Sequence, residues 1–378
     1  MRILIVHNQY KQYGGEDTVV QQELLAYKEL GYTVAMYQQT NADLGFIDLV
    51  LSPFNIMSAI RFRRIVRDFK PDVIHIHNLI FKISPSILWF NTKKPKVYYT
   101  IHNYRFLCPS GTLFHDGRIN LDSKTFLGFL KNVSRGVYQN SKFKTLILGL
   151  IYRANLFIGT FNRVDNFIFL TSFSRDIHMK WRPRLFSNNV LKPNFLATPA
   201  KFENTPKEID LLFVGRFTEE KGIASIMELL LKNQQLNIHL VGDGPAFEAV
   251  EGRSKDVGHI KLHGNLDRDV ILCLMQKTRF LIFPSIWYEG MPMTIIESFS
   301  NGTPVIAKNL GAMSSMVTHN KTGYLYENLK ELDTILSTLN SIDAETRNLF
   351  SQNCFAEFRD KYSYGVGLKN LKKIIETR

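Results

Sequence analysis

A chain of 378 residues is too long for one comfortable hydrophobic core, so two domains are expected. Its 45% hydrophobic and 21% charged residues are those of an ordinary soluble globular protein. The formal net charge of +13 raises nucleic acid and anionic membranes as partners, and the absence of any zinc-finger, RRM-like or helix-turn-helix signature argues against nucleic acid. Residues 2–6 then read as a buried strand, whose four apolar residues after Arg2 are too few for a signal-peptide core. Gly14, Gly15, Glu16 and Asp17 open a helix that runs from Thr18 to Leu30, and a second strand is expected over 33–37. Ser58 to Phe69 is helical and carries Arg61, Arg63, Arg64 and Arg67. A strand over 73–77 ends in His75, His77 and Asn78, and one over 98–101 runs into His102, Asn103 and Tyr104.

His75 and His77, two apart on a strand, share a face, but no third ligand is evident and no metal is assigned. Further positive charge stands at Lys93, Lys94 and Lys96, and through Lys124, Lys131, Arg135, Lys142 and Lys144, interleaved with Phe126, Leu127, Phe129 and Leu130. A basic surface with exposed apolar groups suits a bilayer rich in anionic lipid. The longest later apolar stretch, 145–152, is bounded by Lys144 and Arg153 and falls far short of a membrane span. Cys108, Cys273 and Cys354 are odd in number and lack a C-x-x-C spacing, which argues for a reducing compartment. A cytoplasmic protein, peripheral on the inner membrane face, is expected. After a strand over 167–170, Pro193 blocks helix continuation, and residues 190–194 read as the connection between domains.

The alternation restarts near Ile209, with strands over 211–214, 238–241, 260–262, 280–283 and 304–307. The first ends in Gly215 and delivers Arg216, a planar fork for phosphate oxygens, and Lys221, a point charge. The second ends in Gly242, Asp243 and Gly244, too few glycines for a dinucleotide fingerprint. Asp267-Arg268-Asp269 has an acid-x-acid look, but Asp267 is placed for a helix cap. The strand over 280–283 runs into Glu289, Gly290, Met291, Pro292, Met293 and Thr294, then Glu297. A tight turn followed by a helix leaves the amides of Met293 and Thr294 unpartnered, which makes an anion site flanked by two carboxylates. Leu368, Leu371, Ile374 and Ile375 fall at helical spacing and close the chain with an amphipathic helix.

Three strand-then-glycine units followed by the paired glutamates resemble the C-terminal half of the retaining GT-B glycosyltransferases, the group 1 class also called glycosyltransferase family 4. The likeness covers nearly the whole chain. It implies an α/β GT-B architecture, two Rossmann-like doubly wound domains facing across a cleft. Residues 1–190 would bind acceptor, joined by the C-terminal helix 360–378, and residues 195–359 would bind the nucleotide sugar. By the same resemblance, Gly15 meets the donor diphosphate, His102 points at the sugar and acceptor side, and Gly215 and Gly242 belong to the donor site. Arg216, Lys221, Met293 and Thr294 hold the leaving diphosphate. Glu297 takes the ribose hydroxyls, Glu289 the sugar hydroxyls, and Gly290 and Met291 line the turn between. His102, Glu289, Arg216 and Lys221 form the catalytic set.

The implied reaction moves a sugar from a nucleoside-diphosphate sugar to an acceptor hydroxyl, with retention, without a metal and without a cofactor, the nucleotide sugar being a substrate. A lipid-linked or polysaccharide-precursor acceptor places it in capsule, O-antigen or exopolysaccharide biosynthesis. A nucleotide-sugar epimerase on the same fold and an inactive nucleotide-sugar-binding protein remain the alternatives. Cys108 lies near the Arg105 segment of a family subgroup, but residues 119–123 lack that subgroup's further cysteines.

Overall fold

The computed structural model describes residues 1–11, 14–90, 95–197 and 206–376. Lys93 and Lys94 of the basic set lie outside the described residues. The chain divides into two compact units: Met1–His115, Ile119–Asn194 and the chain from Gly367 make one, and Phe195–Val366 with Asp116–Arg118 makes the other.

In the first unit the strands are β1 (Arg2–Gln9), β2 (Thr33–Thr40), β3 (Val73–Ile76), β4 (Lys96–Ile101), β7 (Asn166–Phe169) and β8 (Asn189–Leu191), with a short hairpin of β5 (Phe114–His115) and β6 (Arg118–Ile119) after β4. The sheet order is β2-β1-β3-β4-β7-β8, parallel throughout. Ile3 to Val6 are fully buried, as a strand covered by helices on both faces requires. β8 corrects the expectation that residues 190–194 are only a connection. Val190 pairs with Ile168, and Pro193, just past the last ladder position, removes no sheet hydrogen bond.

Helix α1 (Gly15–Glu29) begins where the Gly14 N–H donates to Asp17 Oδ2 at 2.8 Å, and it carries Glu16 and Asp17 in its first turn, where the helix dipole favours acids. Helices α2 (Phe46–Leu51), α3 (Ile56–Phe69), α4 (Phe126–Arg135), α5 (Lys142–Phe157) and α6 (Ser172–Trp181) complete the unit. Phe46 stacks on Phe143 with ring centroids 5.5 Å apart, which ties α2 to α5. Phe129, expected among exposed apolar groups, is buried instead. It lies on Gly149 of α5, where an added Cβ would come within 2.1 Å of its ring, so the missing side chain is what lets the two helices close. Phe126, Leu127, Phe46, Ile47 and Phe157 stay exposed, Leu127 at 78% and Phe157 at 92%. No helix among the described residues is long and apolar enough to cross a membrane.

The second unit has β9 (Ile209–Val214), β10 (Ile238–Val241), β11 (Ile260–Leu262), β12 (Thr278–Phe283), β13 (Val305–Lys308) and β14 (Gly323–Tyr326) in the parallel order β11-β10-β9-β12-β13-β14. Its helices include α7 (Ile223–Lys232), α8 (Phe247–Ser254), α9 (Arg268–Gln276) and α10 (Met293–Ser300). Then come α11 (Ala312–Met316), α12 (Leu329–Thr338) and α13 (Ala344–Glu357). This strand order is that of the dinucleotide-binding fold. The last helix, α14 (Tyr364–Glu376), passes from the second unit to the first at Gly367. There Leu371, Ile374 and Ile375 are buried, Tyr98 Oη donates to the Ile374 carbonyl at 3.0 Å, and Tyr32 Oη donates to Glu376 at 2.8 Å.

Candidate active site

In an open parallel sheet, ligands collect at the carboxyl ends of the two strands where the winding direction reverses. In the second unit those strands are β9 and β12, neighbours in the sheet although β10 and β11 lie on the far side of β9. Gly215, Arg216 and Lys221 follow β9; Glu289, Gly290, Met291 and α10 follow β12. The two loops are clamped together. Ile286 N–H donates to the Glu220 carbonyl at 2.9 Å. Gly222, at φ +73°, sits so close that a Cβ would lie 2.1 Å from the Pro284 carbonyl oxygen. A side chain at Gly222 would push the loops apart.

That clamp brings Lys221 Nζ to 2.8 Å from Glu289 Oε1. The same oxygen accepts hydrogen bonds from Ser285 Oγ at 2.7 Å and Trp287 Nε1 at 2.8 Å. Glu289 is only 5% exposed, so it is no solvated loop acid. The ammonium of Lys221 also lies within 5.5 Å and 5.6 Å of the ring centroids of Phe283 and Trp287, near enough for cation–π attraction. A half-buried cation fixed in this way is preorganised for negative charge. Arg216 is different: its guanidinium is largely exposed, with Glu220 at 3.5 Å.

Pro292 occupies the N-cap position of α10, and its carbonyl accepts from Ile295 N–H at 3.2 Å. Met293 and Thr294, ahead of that bond, stand at the open amide end of the helix. One turn on, Glu297 takes both Arg268 Nη2 at 2.9 Å and Nε at 3.2 Å. Burial raises the Glu297 carboxyl above its usual range, against the pull of Arg268. Asp267 does occupy the N-cap position of α9, but its side chain makes no bond to the first turn. The chemistry of that run lies in Arg268. Gly242, at φ +133°, would place a Cβ 1.9 Å from the Gly215 carbonyl oxygen, and Gly215 N–H donates to the Val241 carbonyl at 3.1 Å. Gly242 lets the β9 and β10 loops pack main chain on main chain.

Comparison with known proteins bears directly on this half. The family profile "Glycosyl transferases group 1" matches residues 196–353. Residues 196–353 are a group 1 glycosyltransferase domain, and the chain is a glycosyltransferase. A Klebsiella pneumoniae protein described as an uncharacterized 42.6 kDa protein in a cps region is 23% identical over 78% of this chain and 72% of its own length. An Escherichia coli UDP-Gal:alpha-D-GlcNAc-diphosphoundecaprenol alpha-1,3-galactosyltransferase is 32% identical over 28% of this chain and 27% of its own. The Anabaena protein HepE, solved in complex with UDP, superposes over 100% of both chains with a TM-score of 0.68 at 14% identity, a likeness of fold.

In the first unit of the glycosyltransferase the winding reverses between β1 and β3. Gly15 is the first residue of α1, beyond β1, and His102 follows β4. Between them lies a buried polar network. His7 Nε2 is 2.8 Å from Asp17 Oδ1. Nearby, burial raises the Glu16 carboxyl to about 7, with His7 and Arg105 opposing. His102 Nε2 is 3.0 Å from His77 Nδ1. His75 is bonded to Tyr27 Oη through Nδ1 at 2.9 Å and to Thr100 Oγ1 through Nε2 at 2.7 Å. Lys192 Nζ meets Glu23 Oε1 at 2.5 Å, both side chains fully buried. Burial holds the His77 and His102 imidazoles well below their ordinary range, and neighbouring imidazoles and Lys192 push the same way, so both rings are neutral.

Glu23, His75 and His77 offer three ligand atoms within 4.8 Å of one another. This corrects the expectation of no third ligand: Glu23 arrives from α1, far away in sequence. Much of the cluster is already occupied, because the Lys192 ammonium holds one carboxylate oxygen and both nitrogens of His75 are bonded, while Glu23 Oε2 and His77 Nε2 keep no hydrogen bond among the described residues. Cys108 is a buried free thiol near Ser110, Ser123 and Asn132.

Sequence reasoning passed over Ser285, Trp287, Arg268, Glu23 and Lys192. For Glu23 a signal existed: it falls on the stripe Val19, Val20, Ala26 and Tyr27 that α1 buries. A carboxylate in that stripe requires a buried partner.

Proposed function

We propose that this glycosyltransferase moves a sugar from a nucleoside-diphosphate sugar to an acceptor hydroxyl, with retention of anomeric configuration and without a divalent metal. The observation that carries this reading is the pair of half-buried Lys221 and buried Glu289, after β9 and β12 at the switch point of the second sheet, with α10 following β12. The bond from the anomeric carbon to the diphosphate oxygen breaks, and negative charge grows on the departing diphosphate. Lys221, Arg216 and the amides of Met293 and Thr294 stabilise that charge. The acceptor oxygen bonds to the anomeric carbon from the same face, and its proton passes to the departing phosphate oxygen. Glu297 holds the ribose hydroxyls, and Glu289 those of the sugar.

The Klebsiella relative, described by its cps region, and the Escherichia relative, described by a diphosphoundecaprenol acceptor, support a lipid-linked acceptor in surface-polysaccharide assembly. A thermal-shift panel of UDP-, GDP- and dTDP-sugars tests the donor class. One nucleotide series raises Tm increasingly as its concentration exceeds its Kd. Isomerised sugar without transfer favours an epimerase, and binding without turnover an inactive binding protein. No stabilisation by any nucleotide overturns the reading.

A cytoplasmic, peripheral site of action fits the first unit. Exposed Phe46, Ile47, Phe126, Leu127 and Phe157 stand on α2, α4 and α5, which also carry exposed Lys131 and Lys142, with exposed Lys124 just ahead of α4. Apolar side chains that insert among acyl chains and cations that meet anionic headgroups act together. The protein is expected to float with anionic vesicles at low salt and to be partly released at high salt, because screening weakens the ionic part. Failure to float at either salt removes the membrane from this picture.

A further inference from the structure

Two buried atoms beneath His102 lack hydrogen-bond partners: His77 Nε2 and Glu23 Oε2. They face each other at 3.6 Å, too far for a hydrogen bond and near enough for a charge to bias a proton. We propose that Glu23, through His77, fixes the tautomer of His102, so that His102 Nδ1 presents a bare lone pair and accepts a hydrogen bond from a substrate hydroxyl. The proposal rests on the reading of His102 as a residue that meets substrate.

The His77–His102 contact at 3.0 Å allows two arrangements. In one, His77 Nδ1–H donates to His102 Nε2, and the lone pair of His77 Nε2 then points at the Glu23 carboxylate. In the other, His77 carries its proton on Nε2, toward Glu23, and His77 Nδ1 accepts from His102 Nε2–H. The second places a positive hydrogen against a negative oxygen. Glu23 and His77 are both essentially without solvent exposure, so water screens little of the difference, and Lys192 on the other carboxylate oxygen offsets only part of the charge. In an imidazole, the bond made by one nitrogen settles the state of the other. His102 Nδ1 is thereby left as an acceptor. Among the described residues it makes no hydrogen bond, and the ring is half-buried just past β4.

The surrounding groups oppose the alternative of a charged His102. His75 stands beside it from β3, His77 from just past β3, His7 from β1 and Lys192 from beyond β8, while the carboxylates of α1 nearest the cluster meet other groups first. Asp17 is on His7, Glu16 faces the other nitrogen of His7 at 3.8 Å, and Glu23 is on Lys192. Glu23 and His77 are positioning residues: they act through His102 and do not touch substrate.

The test is a long-range 1H–15N correlation spectrum of the full chain labelled with 15N-histidine, which reports which ring nitrogen carries hydrogen. The expected result is a protonated Nε2 and a bare Nδ1 in both His77 and His102, unchanged through neutral pH. A proton on His102 Nδ1, or titration of His102 near its ordinary value of about 6.5, overturns the proposal. The paired variant Glu23→Gln with Lys192→Met removes both charges and keeps the shape. His102 is then expected as a mixture of tautomers that takes up a proton at higher pH, because Lys192 no longer opposes it. The variant's kcat falls roughly tenfold, the scale of losing about one hydrogen bond to substrate, with KM for the donor close to the parent's. An unchanged spectrum and pH profile in that variant also overturns the relay. Parent-rate transfer by His102→Ala is a separate outcome: it removes His102 from the substrate site and with it the functional meaning of the tautomer.

Discussion

Lys221→Met is expected to lower sugar-transfer turnover by about 10²–10³-fold while the protein stays folded. Lys221 is the fixed, largely buried cation at the switch point of the second sheet, and a methionine of similar length keeps its contacts with Phe283 and Trp287. Glu289 retains two neutral donors, Ser285 and Trp287, so its carboxylate is not left bare. On the proposed mechanism, what disappears is a positive charge that needs no reorganisation when a diphosphate departs. Steady-state kcat and donor Kd measured together check this. If both equal the parent's values, the lysine is a structural partner of Glu289 and nothing more. Glu297→Ala, measured in the same way, is expected to weaken nucleotide binding, whereas Glu289→Ala loosens discrimination among sugars. The reverse result would exchange the two roles.

Lys192→Met alone is expected to cost about 3–5 kcal/mol of folding stability, read as a lower urea midpoint. Lys192 and Glu23 are both fully buried, and the ammonium meets the carboxylate at 2.5 Å. Removing one partner leaves an uncompensated charge where water cannot reach it. Replacing both, as Glu23→Gln with Lys192→Met, is expected to restore most of the loss, because a neutral pair of similar volume has no desolvation penalty to offset. Additive losses in the double variant would mean that the two side chains stabilise the first unit independently.

Most strands of the two sheets were legible because each is a short, nearly continuous apolar run, such as Ile3 to Val6 or Phe280 to Phe283, followed by glycine, proline or polar residues. β8 was hidden because Asn189, Val190 and Leu191 are half-buried at most and lead into a proline. β14, Gly323–Tyr326, was hidden because it is only four residues long and opens on a glycine, although Tyr326 is buried. Phe129 could not be told from Phe126, since adjacent turns of one helix read alike until Gly149 provides a seat for one ring and none for the other.

In the candidate site, Arg216, Lys221, Glu289 and Glu297 could be named from their spacing after apolar strands, because the carboxyl end of a parallel strand is where such side chains collect. Their partners could not. Arg268 reaches Glu297 from another helix, and Lys221 reaches Glu289 only because Gly222 and the Glu220–Ile286 bond press two loops together.

Residue order therefore settled the α/β alternation, the placing of cations and carboxylates at strand ends, and the kinship with group 1 glycosyltransferases. Each of these depends on near neighbours along the chain. Folding in three dimensions settled which charges pair and which rings lie buried, and it alone assembled Glu23, His75, His77, His102 and Lys192. Such pairings join residues far apart in sequence through short-range forces, and hydrophobic periodicity says nothing about which of two distant polar groups will meet.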